Sequence, residues 1–330
     1  MQYAHLGRSG LKVSRIGLGT MNFGMVIDES QSATLLDTAV DAGINFIDTA
    51  DVYGGPQSPE MEKGYGISEE FIGRWLKNHG NREKVVLATK VYQPMGMGPN
   101  DRHLSAYHIK RACEESLRRL HTDHIDVYQM HHVDRMTPWD EIWQAMEQLV
   151  QEGKIIYVGS SNFAGWDIAT AQAKADNRHL LGLISEQAHY NLSSRGVELE
   201  LIPALEYYGL GLIPWSPLGG GLLAGSLQKK GSSRRDGAGI GGLPQEAEQL
   251  QSSLTRYEKL CADIGESAAD VAIAWLLSRS VVSSVLVCSR TSSQLVSSLR
   301  ALDMKLTEET LQELNFIWPG PGSAPEAYAW

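Results

Sequence analysis

Short apolar runs recur along the chain at spacings that set its architecture. Eight stand out, at residues 16–19, 44–48, 85–89, 125–130, 155–159, 183–187, 211–214 and 282–287. They are nearly continuously apolar rather than alternating, which marks strands buried on both faces. A hairpin is expected ahead of them, over residues 3–15. Between the runs the period changes. Within 105–120, Ile109, Ala112, Cys113, Leu117 and Leu120 fall on one helical stripe. Residues 139–150, 167–176, 198–208, 268–278 and 292–302 read likewise. Residues 307–317 open with Glu308 and Glu309, which suit the positive first turn of a helix. Eight strands alternating with helices predict an α/β fold, a (β/α)8 TIM barrel forming one domain over residues 1–330. A doubly wound open sheet is the competing layout. Against it, the segment Gly17-Leu18-Gly19-Thr20-Met21-Asn22 lacks the third glycine of a dinucleotide fingerprint and has no helix directly behind it.

Three stretches break the alternation: 92–104, 219–244 and the tail 318–330, all rich in glycine or proline. The first two follow strands, where long loops serve as lids or binding loops. Composition narrows the function. The formal net charge is -10, which argues against nucleic acid or an anionic membrane as partner. The first residues lack the continuous apolar core of a signal peptide, and no apolar run reaches the length of a bilayer. Cys113, Cys261 and Cys288 are odd in number and form no CxxC pair, as reduced thiols of a cytoplasmic protein would.

The candidate chemistry sits where apolar runs end. Asp48, Tyr53, Lys90 and His131 all follow such runs, so in a barrel they emerge at the C-terminal rim, where catalytic groups gather. A phenol with a pKa of about 10 exchanges protons poorly at neutral pH, and a nearby ammonium favours the phenolate and lowers that value. Lys90 can supply that charge, Asp48 can hold Lys90, and His131 can orient a substrate oxygen. Together they would protonate a carbonyl oxygen as hydride reaches its carbon. Singly, each residue is as readily structural: Asp48 as a turn cap, Tyr53 as a packed ring, Lys90 as a solvated strand end. The joint pattern carries the reading. The adjacent pair His131-His132 invites a metal, but neighbours on an extended segment point to opposite sides. No HExxH or GxSxG occurs, so neither a metal site nor a serine nucleophile is expected.

A hydride must then come from a cofactor, and other strand ends suit one. Ser160-Ser161-Asn162 and Gln187 offer groups that grip a carboxamide. The glycines of Trp215-Ser216-Pro217-Leu218-Gly219-Gly220-Gly221 let backbone approach a diphosphate. Ser289-Arg290-Thr291-Ser292 follows the eighth strand and opens a helix, a phosphate-binding place that is otherwise a simple helix cap.

The blocks Asn45–Gly54, Ala88-Thr89-Lys90, Asp126–His131, Lys154–Phe163, Gln187 with Tyr190-Asn191, and Trp215–Leu218 resemble the aldo-keto reductases over nearly the whole chain. The resemblance implies a barrel with an N-terminal hairpin plug and an extended nicotinamide cofactor, NADPH/NADP+ in preference to NADH. It implies a catalytic tetrad of Asp48, Tyr53, Lys90 and His131, with Tyr53 the general acid. Ser161, Asn162 and Gln187 would meet the carboxamide, and Trp215 would lie along the nicotinamide. Ser216, Pro217, Leu218, Gly219 and Gly221 would line the diphosphate. Gly19, Thr20, Met21, Asp48, Cys288, Ser289, Arg290, Gln294 and Ser298 would also border the cofactor. Arg290 would meet the 2′-phosphate, which its planar fork suits.

The chain departs from the family in places. Cys288 replaces a glycine, and Ser297 and Ser298 stand where Glu and Asn would grip the adenine. Residues 98–105 resemble the branch that holds potassium-channel β-subunits and many microbial keto-reductases, with His103 where glycine is frequent. Those channel subunits carry Asn where this chain has His131, so histidine favours an enzyme over a cofactor-holding regulatory subunit, the alternative function. By position alone, Met25, Tyr92, His132 and Trp166 wall the substrate pocket, for a small carbonyl compound. Arg234 and Arg235 either clamp the cofactor or are solvated. Oligomeric state is not read from the sequence.

Overall fold

The computed structural model describes residues 1–58, 60–227 and 251–329. The chain begins with β1 (Tyr3–His5) and β2 (Lys12–Ser14), an antiparallel hairpin with Tyr3 opposite Ser14. Leu6 and Val13 of this hairpin are wholly buried against Phe46, Ala88, Val127, Ile184, Ile213 and Leu286, so it closes one mouth of the barrel like a stopper. Gly7 lies in the left-handed region, and a Cβ there would stand 2.4 Å from the Ile184 carbonyl oxygen, so only glycine fits.

Eight parallel strands follow: β3 (Ile16–Gly19), β4 (Phe46–Asp48), β5 (Val86–Val91), β6 (Ile125–Met130), β7 (Ile155–Ser161), β8 (Leu183–His189), β9 (Gly211–Trp215) and β10 (Val285–Val287). They pair in chain order, with β10 beside β3. The ring nearly closes between β9 and β10 through a parallel bridge of Leu212 with Val282, where the Ser283 N–H donates to the Leu212 carbonyl. All eight strands lie on the apolar runs expected to form them.

The helices wrap outside. They are α1 (Glu29–Asp41), α2 (Ile67–His79), α3 (Ala106–Leu120), α4 (Trp139–Gln151), α5 (Gly165–Asn177), α6 (Leu201–Tyr208), α7 (Gln251–Asp263), α8 (Ala268–Leu277), α9 (Ser292–Ser298) and α10 (Glu308–Ile317). Their inner faces and the outward strand residues make the larger core, with Tyr128, Trp143 and Trp275 wholly or almost wholly buried. Helix starts follow their chemistry: the side chains of Ser105 and Thr307 accept N–H bonds three residues on.

Of these ten helices, three carry no specific reading from the sequence: α1, α2 and α7. In α2, Gly73 interrupts the stripe, yet a Cβ there would stand 2.0 Å from the Arg119 carbonyl oxygen, so α2 and α3 approach by way of that glycine. The stretch 292–302 is not one helix. It tightens into a 3-10 turn over Leu299–Leu302. Likewise α6 starts at Leu201, after a 3-10 turn at Gly196–Glu198. Of the expected loop 219–244, the part from 228 on lies outside the described residues, and with it Arg234 and Arg235.

Candidate active site

Asp48 ends β4, Lys90 lies near the end of β5, and His131 follows β6, so strand register alone brings them to one rim. Lys90 is wholly buried, and a buried ammonium must be paired. Its Nζ donates to Asp48 Oδ1 at 2.6 Å, to the Thr49 carbonyl at 2.8 Å and to Tyr53 Oη at 3.3 Å. The other Asp48 oxygen accepts from Gln129 Nε2 and Gln187 Nε2, each at 2.8 Å. Tyr53 packs edge-on to His131, ring centroids 5.9 Å apart. The four expected residues therefore form one buried cluster. Gln129 belongs to it and escaped the sequence reading. Its signal was a lone amide inside the apolar run of β6.

Burial pushes the Lys90 ammonium down, but the Asp48 charge and then Tyr53 outweigh it and hold Lys90 above its ordinary value. For Tyr53 the expectation of a lowered pKa needs correction. Lys90 does pull the phenol down, but burial, with Asp48 adding, pushes it above its ordinary value. The phenol keeps its proton at neutral pH, as an acid must. His131 falls well below the usual histidine range through burial, then Lys90 and His132, and is a neutral imidazole. Among the described residues its Nδ1 is buried without a hydrogen-bond partner.

The histidine geometry is a second correction. The rings of His131 and His132 stack, centroids 5.1 Å apart and planes 15° from parallel, rather than pointing apart. β6 ends at Met130, so strand alternation no longer governs the pair. Among the described residues no cluster of three metal-ligating side chains occurs. His132 in turn contacts Tyr92, which contacts His103. Of the four expected pocket walls, Tyr92 and His132 thus adjoin the quartet. Trp166 is half exposed under the Arg135 guanidinium, and Met25 lines a shallow surface cavity with Ile67 and Phe71.

Neighbouring strand ends complete the rim. The Thr20 hydroxyl donates to the Asp48 carbonyl at 2.9 Å, and Met21 packs on Ala50, Val52 and Tyr53. A Cβ on Gly19 would stand 2.7 Å from Cys288 Sγ, so β3 and β10 meet closely there. At the end of β7, Ser161 Oγ donates to the Gln187 carbonyl at 2.9 Å. Asn162 and Ser216 hold left-handed backbone, rare for such residues and clustered at this rim. The Trp215 indole donates to Asn162 Oδ1 at 3.1 Å while His189 stacks on its ring at 4.4 Å. The N–H groups of Gly219 and Gly221 bond within their own turn, to Ser216 and Leu218. Pro217 lies in the same stretch. Beyond β10, Asn22 binds the carbonyls of Cys288 and Ser289, Gln294 Oε1 accepts the Arg290 N–H, and Ser298 bonds back to Gln294. Among the described residues the Arg290 guanidinium makes no ion pair.

A parallel barrel with a proton-bearing phenol held over a buried lysine–aspartate pair defines a class, and the chain belongs to it: the aldo/keto reductase family, whose model matches residues 15–319. The protein is an oxidoreductase of that family. It is 48% identical, over 100% of both chains, to the Bacillus subtilis (strain 168) protein named "Uncharacterized oxidoreductase YrpG". It is 36% identical to the "Versiconal hemiacetal acetate reductase" of Aspergillus parasiticus, over 95% of this chain and 96% of that one. It is 35% identical to the "Probable voltage-gated potassium channel subunit beta" of Oryza sativa subsp. japonica, over 99% of this chain and 100% of that one. Among the described residues no helix is long and apolar enough to cross a membrane.

Proposed function

We propose that this protein reduces an aldehyde or ketone to the alcohol with NADPH, using Tyr53 as general acid. The observation that carries the reading is the 3.3 Å contact between Lys90 Nζ and Tyr53 Oη inside a water-excluded cluster with Asp48. Tyr53 holds the proton at Oη and passes it to the carbonyl oxygen. Lys90 stays charged through Asp48 and stabilises the phenolate left behind. Neutral His131, edge-on to Tyr53, orients the carbonyl oxygen without competing for the proton. Gln129 and Gln187 fix the Asp48 carboxylate, and so fix Lys90.

The bound nicotinamide would supply hydride to the carbonyl carbon. The donor set at the rim fits such a group. The Trp215 ring is anchored by Asn162 and stacked on by His189, and an indole held in place this way suits a planar nicotinamide. Arg290, with no ion pair among the described residues, suits a 2′-phosphate and so favours NADPH over NADH. The versiconal hemiacetal acetate reductase among the relatives supports carbonyl chemistry. The rice channel subunit supports a second reading, a regulatory subunit that holds NADPH without turning over.

Fluorescence titration with NADPH and NADH, beside an aldehyde and ketone panel, separates the readings. Tighter NADPH binding with carbonyl-dependent oxidation supports the reductase. Tight binding with no turnover on any carbonyl supports the sensor. Turnover that needs an added metal and no nicotinamide would sink both.

A further inference from the structure

The carboxyl group of Glu186 is wholly buried, makes no ion pair among the described residues and has no part in the proposed chemistry. On β8, Gln187 points into the barrel toward Asp48, so Glu186 points outward, beneath the turn that leaves β7. There it serves both arms of that turn. The Ser160 hydroxyl donates to one of its oxygens, and the Phe163 N–H donates to the other at 2.9 Å. The turn carries Asn162 in a left-handed conformation, φ 61°. Asn162 in turn ties three strand ends together. Its Nδ2 donates to the His131 carbonyl at 3.1 Å and to Ser161 Oγ at 3.0 Å, and its Oδ1 accepts the Trp215 indole N–H at 3.1 Å. An apolar side chain would fill the space under the turn at less desolvation cost, but could hold neither arm.

We propose that Glu186 is a positioning residue: by gripping the 160–163 turn it sets Asn162, and through Asn162 the Trp215 indole, for a nicotinamide ring and its carboxamide. The inference rests on the nicotinamide reading above. Electrostatics give it a signature. Burial raises the Glu186 carboxyl to about 8, against its hydrogen bonds and with the charge of Asp167 adding. Near neutrality it is therefore mostly protonated, and it ionises in mildly alkaline solution. The resulting carboxylate sits behind the turn and favours a cationic, oxidised nicotinamide over the neutral reduced one. Other charged or titratable groups facing the turn are Asp167 of α5, Arg135 paired with it at 3.0 Å, His131 beside Asn162, and His189 on Trp215. Burial lowers both histidines, so they titrate on the acid side of this window.

The test starts without cofactor. The Trp215 indole N–H resonance, assigned with Trp215→Phe, is followed from pH about 6 to about 10 in the full chain. The wild type is expected to shift with a midpoint near 8, Glu186→Gln to stay flat, and Ser160→Ala, which loses one bond to the carboxylate, to move its midpoint upward. The second arm measures dissociation constants of NADP+ and NADPH. Their ratio is expected to move toward NADP+ by at least about threefold across the inflection in wild type and not in Glu186→Gln. A flat wild-type resonance, an inflection that survives Glu186→Gln, or a pH-independent wild-type ratio overturns the proposal. If the resonance behaves as stated and neither nucleotide binds, the nicotinamide reading fails while the hold of Glu186 on Trp215 stands.

Discussion

Asp48→Asn isolates the ion pair at the centre of the cluster. The substitution keeps shape and removes one charge, leaving the Lys90 ammonium wholly buried with only the Thr49 carbonyl, Tyr53 Oη and an amide oxygen around it. The new amide NH2 would also face the NH2 groups of Gln129 and Gln187, which now donate to the carboxylate. Breaking one side of a buried pair costs about 3–5 kcal/mol, because an uncompensated charge stays behind. With an unfolding entropy of about 2.1 cal/mol/K per residue, 330 residues give roughly 0.7 kcal/mol/K, so Tm should fall by about 4–7 °C. Denaturant midpoints and thermal scans measure this, with Lys90→Met and the double variant completing a cycle. The double variant should be less destabilised than the sum of the two singles. A loss below about 1 kcal/mol for Asp48→Asn is what a solvated surface pair gives, and it would refute the account of a desolvated pair.

Three further outcomes follow from other parts of the molecule. His108 is buried and pushed to about 4, chiefly by burial, and among the described residues its Nε2 has no partner. Its folded value lies below its unfolded one, so the stability it contributes is present above pH about 6.5 and is lost as pH falls through about 4. His108→Leu should flatten urea midpoints over that window, and an unchanged slope would count against it. Gly73→Ala improves helix propensity by about 1 kcal/mol, yet its Cβ would meet the Arg119 backbone, so a net loss of about 1–3 kcal/mol is expected, and a stabilised variant would contradict the α2–α3 contact. Trp215→Leu removes the ring held by Asn162 and His189, and should weaken NADPH binding by about tenfold in a fluorescence titration, whereas unaltered affinity would remove Trp215 from the cofactor site.

The strands were legible because a parallel barrel buries both faces of each, which writes a continuous apolar run into the sequence. The quartet was legible because polar residues at the ends of such runs are conspicuous. What escaped was buried polarity. Gln129 and Glu186 are polar residues buried inside strands, and nothing local says that one faces Asp48 and the other a turn. Helix α2 was disguised the same way. Beside the apolar Ile72, Trp75 and Leu76 it buries Ser68 and Glu69, with Glu69 held by Thr89 and Arg119 from β5 and α3, contacts distant in sequence. The direction of the Tyr53 shift was misjudged because neighbouring charge can be guessed from residue types, but the burial that outweighs it cannot.

The central claim is that the Tyr53 hydroxyl delivers the proton while other groups hold the cofactor. Tyr53→Phe deletes that one oxygen from the cluster around Lys90. Carbonyl-dependent NADPH oxidation should fall by about 10²–10⁴-fold, with the NADPH dissociation constant unchanged within about twofold. Turnover within tenfold of the wild type, or loss of cofactor binding in step with activity, would contradict the account.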